Sequence, residues 1–226
     1  MKVTPNELNG VIRILPRVLD LISSKSSFAK NVSGCWRYDV RLGDKSPTCS
    51  KYTKNRYSSI NVRIGGLFNE TFASSKASAD DVWVTSNSIP VYAKFSDEII
   101  PKFYDFLFQK LKKVKIMNIV TGPIFIPGMN EDESYNKRSK DIPSHFFYVL
   151  TSCKGLQTHL NSCNPEQLEL SAFILPHIPK ITHCQNIEEW VIRNSARVRD
   201  VELLTGIQFY TKFPADVRAR LVVNTS

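Results

Sequence analysis

Four histidines are the side chains best suited to move a proton near neutral pH: His145, His159, His177 and His183. A neutral imidazole can activate water, and a hard divalent cation beside it would suit phosphoryl chemistry. Their settings argue for structure instead. His145 opens an apolar run, and His177 sits between prolines in Leu175-Pro-His-Ile-Pro179, so structural hydrogen bonding is expected of both. His183-Cys184 is a candidate metal-ligand pair, but no second pair stands at zinc spacing. No Walker loop, nucleophile elbow or dinucleotide fingerprint occurs.

The elements that would position such residues are legible from periodicity. Apolar runs at 116–121, 145–151 and 171–175 predict core strands, with Gly122-Pro123 as a breaker after the first and Pro176 stopping the last. Val82-Trp-Val-Thr-Ser-Asn87 is a further strand candidate. Asp97 to Lys113 predicts a helix, since Ile99, Ile100, Phe103, Phe106, Leu107 and Leu111 recur at helical steps. Asn186 to Leu204 predicts another, with Ile187, Trp190, Val191, Val198, Val201 and Leu204 apolar and Gly206 as its C-cap. That helix is expected to lie against a sheet built from 82–86, 116–121, 145–151 and 171–175. Arg197, Arg199 and Asp200, set among its apolar positions, are expected to form a structural ion-pair network. Residues 7–23 predict an amphipathic helix interrupted by Pro16, and 127–142 a polar loop. Strands and helices mix without strict alternation, which favours an α+β class.

The chain has 226 residues, enough for one domain or one domain plus an extension. Its formal charge of +9 is the footprint of a binder of nucleic acid, heparan or an anionic membrane, or simply of a solvated basic surface. The densest cluster, Lys110, Lys112, Lys113 and Lys115, reads as a solvated helix end. No apolar run reaches about 18 residues, so no membrane span is expected. No signal peptide is evident at the N-terminus. Five cysteines and the sequons at Asn31, Asn69 and Asn224 nevertheless point outside the cytoplasm. The two together suggest a fragment of a larger secreted protein, or a chain that has lost its start.

Three segments carry a resemblance: Ile119-Val-Thr-Gly-Pro-Ile-Phe125, Pro143-Ser-His-Phe-Phe-Tyr-Val-Leu-Thr-Ser-Cys153, and Ala196-Arg-Val-Arg-Asp-Val-Glu-Leu-Leu-Thr-Gly-Ile-Gln-Phe-Tyr210. They resemble the C-terminal nuclease-like domain of the ectonucleotide pyrophosphatase/phosphodiesterase (autotaxin-type) family, a relative of the DNA/RNA non-specific endonucleases. The likeness starts near Gly34-Cys-Trp-Arg-Tyr-Asp-Val-Arg41. It implies a His-Me finger (ββα-metal) fold with a central, mainly antiparallel sheet and helices on both faces. Residues 31–214 would be the nuclease-like domain, 1–30 an N-terminal extension and 215–226 a C-terminal tail.

Active relatives of this type use a histidine general base on an Asp-Arg-Gly-His motif and one Mg²⁺ held by water and a single asparagine. Thr85-Ser-Asn-Ser-Ile-Pro90 resembles the strand end that anchors the comparison. From it, the motif falls on Arg63-Ile-Gly-Gly66, and the metal ligand on Ser96. Arg63, Gly65, Gly66 and Ser96 are therefore degenerate motif positions, with Gly65 alone retained. Glycine offers no proton acceptor, and serine is a poor sole ligand for a hard cation. The resemblance also implies a calcium loop, here degenerate at Ile126, Gly128, Asn130 and Glu131 with Asp132 nearby. It implies a Cys153–Cys163 disulfide and leaves Cys184 unpaired or interdomain. Cys35 and Cys49 either pair with each other or stay free.

The expectation is a catalytically inactive, extracellular nuclease-like domain that braces a phosphodiesterase catalytic domain or contacts another protein, with no cofactor. The alternatives are a metal-dependent endonuclease using Mg²⁺ or Ca²⁺, and a module that binds nucleic acid or heparan without hydrolysis.

Overall fold

In chain order the elements are β1 (Arg17–Ile22), β2 (Val62–Gly66), β3 (Ser88–Tyr92), α1 (Ile100–Lys113), β4 (Ile116–Ile124), β5 (His145–Cys153), β6 (Leu168–Pro176), α2 (Ile187–Arg193), β7 (Ser195–Ala196), α3 (Val198–Thr205) and α4 (Ala215–Val223). The computed structural model describes residues 17–22, 36–45, 61–68, 72, 80, 82–114, 116–126, 141–154, 163–179 and 186–224. The main sheet runs β1-β4-β5-β6-β7, and a second, two-stranded sheet pairs β2 with β3. Every pair of strands is antiparallel. The class is α+β.

The three long strands are apolar nearly throughout because helices cover both faces of the sheet. One face presents Ile119, Phe146, Tyr148, Leu150, Phe173 and Leu175 to α1 and α2, in one core with Phe103, Leu107, Trp190 and Val191. The other presents Val120, Phe147, Val149 and Ala172 to α3 and α4, with Val198, Val201, Leu221 and Val222. Phe103 of α1 seats its ring 4.4 Å from Tyr148 and 5.9 Å from Phe173. The predicted helix over 97–113 is present, entered through a π turn at Phe95–Ile99.

Several sequence expectations are corrected. Residues 17–22 form a strand paired with β4, not the end of a helix, and 7–16 lie outside the described residues. Residues 82–87 are no strand: Val84 makes one bridge to Arg37, Thr85–Asn87 is a 3-10 turn, and the strand begins at Ser88. Gly122-Pro123 does not break β4, which continues to Ile124. A Cβ at 122 would stand 2.7 Å from the Phe147 ring, so glycine lets the two strands close there.

The helix expected over 186–204 is two helices joined by β7. Asn194 ends α2 by donating from Nδ2 to the Trp190 carbonyl at 2.7 Å, and Ser195 and Ala196 then pair with Phe173 and Ala172. α3 restarts with the Asp200 carboxylate accepting from the Arg197 N–H at 2.9 Å, and ends at Gly206 with φ 69° as expected. Trp190 and Val191 thus serve one face of the sheet, Val198 and Val201 the other. Leu204, expected in the core, is half exposed. The network expected of Arg197, Arg199 and Asp200 centres instead on buried Glu202. Its carboxylate accepts from Arg218 Nη2 at 2.6 Å, the Phe209 N–H at 2.8 Å and Arg199 Nη1 at 3.1 Å. Of the lysine cluster, Lys110 is no solvated end: its Nζ donates to Ser171 Oγ at 3.2 Å and lies over the Phe106 ring.

Candidate functional site

β2 and β3 set the degenerate motif positions by register. Arg63 lies opposite Val91, Gly65 opposite Ile89 and Gly66 opposite Ser88. Ser96 follows in the π turn leading to α1. All four positions border one cleft of about 540 Å³, walled by Trp36, Trp83, Tyr104 and Phe108. Positions distant in sequence therefore share one site.

Gly66 sits where a side chain has no room. A Cβ there would lie 2.7 Å from the Phe68 carbonyl oxygen and 3.2 Å from both Trp36 and Asn87 Nδ2. Asn87 is itself buried and committed: Nδ2 donates to the Phe68 carbonyl at 3.1 Å and the Val82 carbonyl at 2.9 Å, and Oδ1 accepts from the Phe68 N–H. It anchors the chain that crowds residue 66. Asn87 is legible in sequence only as part of the Ser-Asn anchor, which says nothing of this role.

Arg63 Nη2 donates to Ser96 Oγ at 2.7 Å and to the Asp97 carboxylate, with which it forms an ion pair. A divalent cation held at Ser96 would meet that guanidinium, which would repel it. Among the described residues no three metal-binding side chains converge.

No described histidine borders the cleft. His177 is buried behind it. Its Nδ1–H donates to the Pro143 carbonyl at 2.7 Å and its Nε2 accepts from the Tyr92 N–H at 2.8 Å. Both ring nitrogens are used, and burial pulls its pKa down to about 4 against the opposing effect of the Pro143 bond. His145 is half-buried, which lowers its pKa, and its Nδ1 meets Ser144 Oγ at 3.0 Å. Tyr104 and Tyr148 also border the cleft, but burial pushes the pKa of both phenols up, so neither accepts a proton at neutral pH.

Behind the cleft, Asp39 is buried and accepts from Arg41 Nε at 2.8 Å and from Ser86. Burial alone would raise its pKa, but the bonds from Arg41 and Ser86 outweigh that and lower it. This pins the segment carrying Trp36 to the turn before β3. Sequence reasoning missed Asp39, because a lone acidic residue gives no sign of burial.

Cys153 and Cys163 form a disulfide, as the resemblance implied. Cys35, Cys49, Cys184, Asn31, Asn69, Asn130, Asp132, His159 and His183 lie outside the described residues. No described helix is long and apolar enough to cross a membrane.

No family model matches the chain. It is 34% identical over 219 residues to venom phosphodiesterase of Naja atra, covering 88% of this chain and 26% of that one. It is 35% identical over 210 residues to venom phosphodiesterase of Macrovipera lebetinus, covering 84% and 24%. It is 33% identical over 225 residues to ectonucleotide pyrophosphatase/phosphodiesterase family member 3 of Mus musculus, covering 88% and 24%. The chain thus spans about a quarter of the length of the curated relatives it matches.

Proposed function

This chain belongs to the ectonucleotide pyrophosphatase/phosphodiesterase family, and from that premise we propose that it is an extracellular, catalytically inert nuclease-like domain. Its role is structural: it braces a phosphodiesterase domain of the kind that its relatives' names describe. The observation that carries the reading is the crowding at Gly66, where a general base would have to stand and not even a Cβ fits. The engagement of Ser96 by Arg63 supports it, since the metal position already holds a positive charge. The succession β2, β3, α1 has the strand-strand-helix order of a ββα-metal finger, which supports the finer fold assignment.

Two measurements test this. Plasmid DNA and RNA incubated with the chain and Mg²⁺ or Mn²⁺ should stay intact. Metal-dependent cleavage that disappears on His145→Ala or His177→Ala would overturn the inert reading. Co-expression with a phosphodiesterase domain of a relative should raise that domain's melting temperature, and no change would overturn the bracing role.

A further inference from the structure

The sequon Asn224-Thr-Ser226 has no part in the bracing role, and α4 decides its setting. The helix is anchored from within, where Leu221 and Val222 are buried in the second core. It surfaces at the next two positions, since Val223 is 45% exposed and Asn224 is exposed as well. Asn224 is the C-cap. Its N–H donates to the Arg220 carbonyl at 2.9 Å, and its φ of −94° and ψ of 78° turn the chain off the helix. Backbone bonding therefore holds residue 224 in place while the residue itself stands in solvent.

Other asparagines use their side chains differently. Asn87 and Asn194 spend Nδ2 on backbone carbonyls, and Asn164 and Asn186 use Oδ1 to cap helices. Among the described residues the Asn224 amide makes no such bond. A carbohydrate is bulky and has to point away from the protein, so the folded chain can carry one here without disturbing its core.

We propose that Asn224 carries an N-linked glycan on the folded chain. The donor is an oligosaccharide linked to a lipid pyrophosphate. A bond forms between Asn224 Nδ2 and the anomeric carbon of the first sugar, as the bond from that carbon to the pyrophosphate oxygen breaks. The pyrophosphate leaves with the electron pair, and Nδ2 gives up a proton. The Ser226 hydroxyl supplies the sequon's second recognition element, with no proline between. A glycan at this place also fixes a direction. The end of α4 faces solvent in the assembled protein, and another part of the surface braces the phosphodiesterase domain. The inference rests on the extracellular reading, but the two fail separately, because an added signal sequence delivers the chain whatever its natural route.

The test secretes the full chain from cultured animal cells behind such a signal sequence. Peptide-N-glycosidase in heavy-oxygen water then converts each glycosylated asparagine to labelled aspartate. Peptide mass spectrometry should find residue 224 labelled in most molecules. Ser226→Ala should reduce that label to background and Ser226→Thr should keep it, which separates recognition of the hydroxyl from a local effect of substitution. Ser226→Ala should leave the gain in melting temperature of a co-expressed phosphodiesterase domain unchanged. Residue 224 unlabelled in the secreted chain, or label that survives Ser226→Ala, would overturn the site. A gain that Ser226→Ala increases would put the end of α4 at the interface and overturn the outward direction.

Discussion

His177 holds two backbone groups at once, which decides its protonation. With Nδ1–H donating to Pro143 and Nε2 accepting from Tyr92, only the neutral ring satisfies both. The folded pKa of about 4 lies below the ordinary 6.5. Above pH 6.5 both folded and unfolded forms are neutral at this site, and stability is complete. As pH falls from 6.5 towards 4 the unfolded chain binds the proton first, so stability is lost across that window, by about 3 kcal/mol in all. Asp39 acts in a lower window: its depressed pKa adds stability above the ordinary 3.8 that is lost as pH falls below it. Urea unfolding at pH 7 and pH 4.5 should show the first loss, and His177→Phe should both lower stability at pH 7 and flatten the dependence. At Gly66, Gly66→Ala should cost about 1 to 3 kcal/mol through overpacking against Phe68 and Trp36. Gly66→His with Ser96→Asn should likewise destabilise without yielding a nuclease, as thermal melts and plasmid assays can determine.

At the scale of elements, the join of α3 to α4 depends on one carboxylate. Glu202 is 5% exposed and collects Arg218, Arg199 and the Phe209 N–H, tying α3, the turn after it and α4. Removing it strands a half-buried guanidinium and a backbone donor, so Glu202→Ala should cost about 3 to 5 kcal/mol. Among the described residues Asp200 accepts only the Arg197 N–H at the start of α3, so Asp200→Ala should cost about 1 kcal/mol. Chemical denaturation of the two variants side by side measures the ranking, and equal costs would refute the central place given to Glu202.

For the whole molecule, the sheet gathers segments from far apart. β1 lies within 1–30 and α4 within 215–226, the stretches expected to be an extension and a tail, yet β1 pairs with β4 and α4 buries Leu221 and Val222 in the second core. The Cys153–Cys163 disulfide closes the chain between β5 and β6, with 10 residues of sequence separation. A loop of that size is worth about 2 to 3 kcal/mol. Reduction should therefore lower the melting temperature by about 5 to 10 °C. Non-reducing peptide mapping should recover the 153–163 link, and a Cys153–Cys184 link would show the leftover thiol to be misassigned.

The sequence by itself determined the α+β class, the cores of β4, β5 and β6, α1, the Gly206 cap, and the family. These rest on local periodicity and short motifs, which need no knowledge of neighbours. It also singled out Arg63, Gly65, Gly66 and Ser96, but as degenerate positions on a line. Only the tertiary structure brought them to one cleft with Trp36 and Trp83, and only packing set a carbonyl where a Cβ at 66 would go. The division of 186–205 into α2, β7 and α3 was likewise invisible. Val191 and Val198 are seven residues apart, two helical turns, so one continuous helix and two helices on opposite faces share the same pattern. What chose between them was pairing of Ser195 and Ala196 with β6, a contact made across space. Periodicity reports which residues shun water; it cannot report which surface shelters them.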